Sequence, residues 1–186
     1  MIDRAFLARI RIEPLDRRKH DRAAFSCGEE RLDNFLKNMA ARQQDDDHTR
    51  VYVASLEAGT GIAGFYALNS HAIDAATLPP DQRKKLPSYP TISAIYLSVV
   101  AVAKDHQGKG LGKLLLADAF RRCIAVADQI GAYFIVLDAL NERAATLYRE
   151  LGFVDLPGHE PRMLIRMAVV RIAAGKGSAP APSADA

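Results

Sequence analysis

The sequence predicts a mixed α/β (α+β) fold, on three observations. Residues 91–102 are the most β-prone run of the chain. A glycine-rich stretch, 106–113, comes directly after it and opens the longest helical pattern, 109–130. Behind that helix come a strand over 132–137, a helix over 141–151 and a strand near 163–170. A strand–helix–strand crossover makes its two flanking strands parallel. The strands ahead of it are joined closely enough to pair antiparallel.

The earlier elements are set by local pattern. Residues 7–15 predict an edge strand, with Ile10 and Ile12 alternating against Arg9 and Arg11. Ser26 and Glu29 have the spacing of a capping box. Leu32, Phe35, Leu36, Met39 and Gln43 then recur at helical spacing, which predicts an amphipathic helix as far as Gln44. Residues 50–56 and 62–68 predict a hairpin turned at 59–61. Pro79, Pro80, Pro87 and Pro90 make 74–90 a long excursion with room for one helical turn. Gly131 and Gly152 stand where helix-terminating glycines belong. From Ala173 onward the composition is dominated by Ala, Gly, Ser, Pro and Asp. We therefore expect one domain over residues 1–172 and a disordered tail over 173–186.

Composition bounds the function classes. A chain of 186 residues can bury a sizeable core in one domain. Its formal charge of +3 is too small to imply nucleic acid by itself. The two cysteines, Cys27 and Cys123, lack zinc spacing and read as plain thiols of a reducing cytoplasm. Asp3, Arg4, Arg9 and Arg11 interrupt the N-terminus, so no signal-peptide core is present. The longest apolar stretch, 91–103, falls short of the roughly 18–20 residues of a membrane span. A cytoplasmic protein without membrane contact is the expectation. His20, His48, His71, His106 and His159 show no metal-ligand spacing, so they are read as surface or loop residues and no metal is expected.

The residues that carry chemistry are His106-Gln107-Gly108-Lys109-Gly110-Leu111-Gly112-Lys113. At a strand-to-helix junction the first helical N–H groups lack partners, and the helix dipole points its positive end outward. A phosphate fits such a place, and glycines let it approach the main chain. Two phosphate motifs are excluded. Lys113 is followed by Leu114 rather than the hydroxyl of a P-loop, and Gly108, Gly110 and Gly112 are spaced by two, unlike a dinucleotide fingerprint.

Gln107, Gly110 and Gly112 match Gln-x-x-Gly-x-Gly. Residues 141–153, Asn-Glu-Arg-Ala-Ala-Thr-Leu-Tyr-Arg-Glu-Leu-Gly-Phe, match Asn-x-x-Ala-x-x-Leu-Tyr-x-x-x-Gly-Phe. In this order, one helix and one strand apart, the two motifs resemble those of the GNAT superfamily of acyl-CoA-dependent N-acyltransferases, over residues 8–170. The resemblance implies a GNAT-like fold, a central mixed and mostly antiparallel sheet with splayed parallel strands, flanked by helices. It implies acetyl-CoA as co-substrate, with its pyrophosphate on Gln107, Gly108, Lys109, Gly110, Leu111, Gly112 and Lys113. It places the pantetheine arm along the backbone of Val100, Ala101 and Val102, and an oxyanion donor at a strand N–H near Val100 or Val102. Asn141 is the expected helix N-cap and, by the resemblance, also reaches the cofactor. Tyr148 is the family's proton donor to the departing thiolate, and a phenol of pKa about 10 keeps its proton at neutral pH.

The general base is not evident. Many family members carry a carboxylate on the strand before the turn, whereas 91–102 has none. A lysine amine (pKa about 10.4) needs such help, whereas an α-amine (about 7.7–8.0) is already partly neutral at pH 7. Asp138 is a candidate base acting through water. Residues 25–36, Phe-Ser-Cys-Gly-Glu-Glu-Arg-Leu-Asp-Asn-Phe-Leu, together with 64–68, Gly-Phe-Tyr-Ala-Leu, resemble the GNAT branch of bacterial toxin–antitoxin pairs. Those toxins acetylate the α-amine of aminoacyl-tRNA and are held by a ribbon-helix-helix antitoxin. They often carry an arginine where this chain has Ser98 and Val99.

Three functions stay open. The chain is an N-acetyltransferase of a primary amine, a toxin of that branch, or a non-catalytic acyl-CoA sensor. Expected partners are acetyl-CoA and an amine acceptor. The toxin reading adds charged tRNA and the antitoxin, and a homodimer is compatible with each. The phosphates of a tRNA would meet Arg17, Arg18, Lys19 and Arg22, while Lys104, Lys109 and Lys113 cluster by the turn. The acidic run 45–47 reads as a solvated helix end.

Overall fold

A computed structural model describes residues 2–56, 59–84, 86 and 88–175. Among the described residues seven strands form one sheet, in the order Ile10–Pro14, Arg50–Leu56, Ile62–Asp74, Thr91–Val102, Phe134–Asp138, Arg162–Arg166 and Val154–Asp155. Two compact units divide the chain, Met1–His71 with Ile95–Phe120 and Ala72–Ala94 with Arg121–Ala186.

The first unit begins with a departure from expectation. The edge strand is β1, Ile10–Pro14, and a helical turn, α1, Arg4–Ala8, precedes it. Asp3 caps α1, its carboxylate accepting from the Phe6 N–H at 2.9 Å. That cap lets the good helix formers of Arg-Ala-Phe-Leu-Ala coil instead of extending. β1 pairs antiparallel with β2, Arg50–Leu56, and β2 with β3, Ile62–Asp74. The predicted hairpin is there, with Gly59 N–H donating to Leu56 O at 3.0 Å. β4 is Thr91–Val102, as the sequence predicts.

The predicted long helix is interrupted. It runs as α2, Glu30–Asn34, a π-helical turn, Phe35–Met39, and α3, Ala40–Asp45. The extra residue in the wide turn rotates α3 relative to the period set by α2. Met39, expected inside, is 42% exposed, while Ala40 is fully buried in its stead. The capping box does not form either. Glu29 makes no side-chain cap, and Ser26 donates to Asp33 at 3.0 Å. Gln44 closes the arm by donating to Leu15 O at 2.9 Å and accepting from Val51 N–H at 3.2 Å. Leu36, Phe65, Val53 and Phe25 fill the core beneath it.

β3 also bears the buried Tyr66, whose hydroxyl donates to the buried Asp118 of α5, Leu111–Ile130, at 2.5 Å. A hydrogen bond to a buried carboxylate is worth about 1.5–3 kcal/mol. Tyr66→Phe is therefore expected to lower unfolding free energy by about that amount, read as an earlier urea midpoint at unchanged slope. An unmoved midpoint would assign the bond no net worth.

In the second unit Asp74 caps a 3-10 turn, Ala75–Thr77, before α4, Pro80–Arg83, opened by a proline at its first position. The Ala75 N–H donates to Pro90 O at 2.9 Å and closes the base of the proline-rich excursion. β5, Phe134–Asp138, pairs antiparallel with β7, Arg162–Arg166, from Phe134↔Arg166 to Asp138↔Arg162. α6 is Glu142–Glu150, and β6, Val154–Asp155, is too short to carry a sequence pattern.

The sequence extends the last strand to residue 170, but it stops at Arg166, where the partner strand starts, and α7, Met167–Gly175, takes over. Ala173, Ala174 and Gly175 are thus helical rather than part of a tail, and residues 176–186 of the expected tail lie outside the described residues. Arg171 of α7 pairs with Asp128 of α5 at 2.6 Å. Among the described residues no helix is long and apolar enough to cross a membrane.

Candidate active site

The turn between β4 and α5 belongs to the first unit. Gly108 and Gly110 have φ of +75° and +93°, the left-handed region that favours glycine. Alternating signs of φ point successive N–H groups to one side, the geometry of an anion nest. Among the described residues the N–H groups of residues 108–112 find no hydrogen-bond acceptor. Nothing lies within 4 Å of where a Gly108 side chain would begin, so this face is open. The first turn of α5 carries no acidic residue. Backbone donors, an open face and a helix N-terminus together suit a pyrophosphate.

The side chains of the turn brace it. Gln107 Nε2 donates to Cys27 O at 2.9 Å and to Val102 O at 3.0 Å, so its amide is engaged with the protein. Lys109 Nζ donates to Asp105 O at 2.8 Å and lies 5.3 Å from the Phe6 ring centre. Lys113 is exposed. Sequence reading missed the N-terminal buttress. Asp3 N–H donates to Lys109 O at 3.1 Å, and Phe6 stacks on His106 at 5.1 Å. Burial, and then Lys109, lower the His106 pKa, which favours the neutral ring.

Along β4 the alternation of burial lapses at residues 98–100, while Ala101 is buried and Val102 half-buried. Ser98 donates to Asn69 Oδ1 at 2.8 Å, a short polar contact at one of the two positions where the toxin branch often carries arginine.

Three of the four cations expected to meet tRNA also have partners within the chain. Arg22 donates to Leu36 O and Lys37 O at 3.4 and 3.0 Å, Arg17 pairs with Asp45, and Lys19 pairs with Glu13 at 2.5 Å. The acidic run is paired as well as solvated, Asp46 with Arg42 and Asp47 with Arg50. His20, expected at the surface, is buried. Its Nδ1 accepts from Asp16 N–H at 3.0 Å, leaving Nε2–H to donate to Glu13 at 3.1 Å. Burial pushes the Cys27 thiol up to about 11 and Cys123 to about 12, so both stay protonated. No group of three or more His, Cys, Asp or Glu side chains placed to hold a metal occurs among the described residues.

The second unit holds the downstream motif. Asn141 caps α6, its side chain accepting from Ala144 N–H at 3.0 Å. Tyr148, in the last turn of α6, is half-buried with its ring 5.7 Å from Phe153, and burial raises its phenol pKa. Its hydroxyl forms no hydrogen bond among the described residues. Its carbonyl accepts from Leu151 and Phe153 N–H at 3.1 and 3.0 Å, which explains the Gly-Phe ending of the motif. Gly152 there makes the left-handed turn, φ +96°. Asp138, the candidate base, is gripped by Arg162 through two bonds of 2.8 and 3.0 Å.

A family model described as an acetyltransferase (GNAT) domain matches residues 47–155. A probable toxin TacT of Sinorhizobium fredii is 41% identical over 167 residues, 86% of this chain and 92% of the relative. A tRNA-acetylating toxin of Mycobacterium tuberculosis is 33% identical over 155 residues, 83% of this chain and 91% of the relative. The structure of AtaT complexed with acetyl-methionyl-tRNAfMet superposes with a TM-score of 0.81 at 29% identity, over 89% of this chain and 99% of that one. A Tyr-to-Phe mutant of AtaT, bound to the C-terminus of the antitoxin AtaR and acetyl-CoA, gives 0.74 at 25% identity, over 88% and 97%. With the glycine turn at one strand–helix junction and the Asn-to-Phe motif on the next helix, the chain belongs to the GNAT acetyltransferase family.

Proposed function

We propose that this acetyltransferase moves an acetyl group from acetyl-CoA to the α-amine of aminoacyl-tRNA, as the toxin of a toxin–antitoxin pair. The observation that carries the donor half is the row of backbone N–H groups at 108–112, which no protein acceptor among the described residues claims. On this reading the turn holds the pyrophosphate and the backbone of Val100, Ala101 and Val102 lines the pantetheine arm. Tyr148 keeps a proton for the thiolate that leaves. Acetyl-CoA brings the activated thioester, and the chain supplies orientation and that proton.

The acceptor half is supported by two relatives, one a tRNA-acetylating toxin and one solved with acetyl-methionyl-tRNAfMet. The site chemistry agrees. β4 has no carboxylate, and Asp138 is held by Arg162, so neither offers a free base to strip an alkylammonium. An α-amine needs little such help at neutral pH. A small ribbon-helix-helix protein is the partner we expect to hold the enzyme in check.

Incubation with acetyl-CoA and total charged tRNA, then nuclease digestion and mass detection, tests the reading. Acetylated aminoacyl-adenosine is the expected product. The rate should fall as salt rises, with a log–log slope near −0.7 to −0.9 for each phosphate contact. Acetylation of small amines or protein N-termini with none on charged tRNA would overturn the acceptor assignment and leave the family standing.

A further inference from the structure

Asp33 of α2 lies outside both signature motifs, yet its carboxylate reaches toward the turn through a short loop. One oxygen accepts from the Cys27 N–H at 2.7 Å and the other from the Ser26 hydroxyl at 3.0 Å. Burial works against the charge, but the bonds from Cys27 and Ser26 outweigh it and hold the carboxyl below its usual range. The loop is shaped further by Gly28, at φ +96°, where a side chain would begin 2.8 Å from Lys104 Cε. The left-handed backbone favours glycine here, and a side chain would push the end of the Lys104 chain aside.

So fixed, the loop turns two carbonyls to the segment that ends in the glycine turn. Ser26 O accepts from the Lys104 N–H at 2.9 Å, and Cys27 O accepts from Gln107 Nε2 at 2.9 Å. Gln107 spends its other hydrogen on Val102 O at 3.0 Å and stands directly before Gly108. The chain of contacts thus runs from Asp33 through Cys27 to Gln107, and then into the nest.

We propose that Asp33 is a positioning residue for the donor site: through Cys27 and Gln107 it sets the angle at which the N–H groups of residues 108–112 meet a pyrophosphate. The inference rests on the acetyl-CoA reading above. It gives the Phe25–Leu36 stretch a physical task, since its Ser-Cys-Gly loop and its Asp form the strut. An aspartate fits this task better than a serine cap because it serves two donors from one helix position.

The test compares two ligands that differ in the pyrophosphate. Binding of acetyl-CoA is measured by calorimetry and binding of S-acetylpantetheine by ligand-observed NMR, so no acceptor is needed. Asp33→Ala is expected to weaken acetyl-CoA about tenfold, the worth of one charge-assisted hydrogen bond, and to leave S-acetylpantetheine within twofold. Asp33→Asn, which can still accept from Cys27, should recover most of the loss. If Asp33→Ala fails to fold, Gln107→Leu, which removes the next link, must show the same selectivity.

Equal weakening of both ligands would make Asp33 a residue of the fold alone, and unchanged acetyl-CoA binding would also overturn the proposal. A parent protein that binds acetyl-CoA no better than S-acetylpantetheine would show instead that the acetyl-CoA reading has failed.

Discussion

Tyr148→Phe is expected to lower kcat about 10²–10⁴-fold, the range of a general acid, while the acetyl-CoA Kd stays within about twofold. The substitution is clean for structural reasons. Phe keeps the ring beside Phe153, and the Tyr148 carbonyl still closes the end of α6. The hydroxyl forms no hydrogen bond among the described residues, so its loss strands no buried donor or acceptor there. Burial raises the phenol pKa above its ordinary value, which keeps the acid protonated at neutral pH. The alkaline fall in kcat should therefore lie above the ordinary phenol range in the parent and be absent from the variant's residual rate. Thiol release at saturating acetyl-CoA checks the rate, and calorimetry checks binding. Joint loss of both would make Tyr148 structural, and unchanged turnover would remove it from the mechanism.

The features legible in the sequence are local in origin. Strand 91–102 and the helix behind it are legible because a long β-prone run and a glycine turn leave few alternatives. The Asn141 cap and the Gly152 stop are legible for the same reason, each being a single residue with one favoured backbone role. Expectation and structure part where a partner remote in sequence decides. The π-helical turn at Phe35–Met39 keeps Leu36 and Ala40 in the core at the cost of Met39, and no helical period announces that choice.

The last strand cannot outrun its partner, so Met167 begins a helix. Arg17, Lys19 and Arg22 read in the sequence as a cationic group, and no local pattern announces that inside the chain they also meet Asp45, Glu13 and two backbone carbonyls. Asp33 stands in the sequence only as part of a resemblance, because its partners Cys27 and Ser26 become neighbours only once the loop has folded back.

Gly110→Asp is expected to abolish measurable acetyl-CoA binding, a loss on the order of a hundredfold or more, since like charges brought together cost several kcal/mol. Gly110 has φ +93°, and a side chain there would begin 3.4 Å from Leu7 Cδ1 and 3.5 Å from Ile2 Cγ2. Strain alone would cost roughly 1–2 kcal/mol, and Asp is among the residues that tolerate positive φ best. In the free protein a carboxylate beside the α5 N-terminus also gains from the dipole and from the unclaimed N–H groups. The variant should therefore fold, with its own anion competing for the place of the pyrophosphate.

Gly110→Ala separates the two effects, because it shares the strain without the charge and should bind acetyl-CoA within about tenfold of the parent. Acetyl-CoA at a hundred times its Kd adds about 2.7 kcal/mol of stability by mass action. A thermal melt with and without ligand should show that gain in the parent, most of it in Gly110→Ala, and none in Gly110→Asp. If calorimetry finds Gly110→Asp binding as tightly as the parent, the pyrophosphate does not sit on this turn. The N–H groups of residues 108–112 would then need another ligand to explain them.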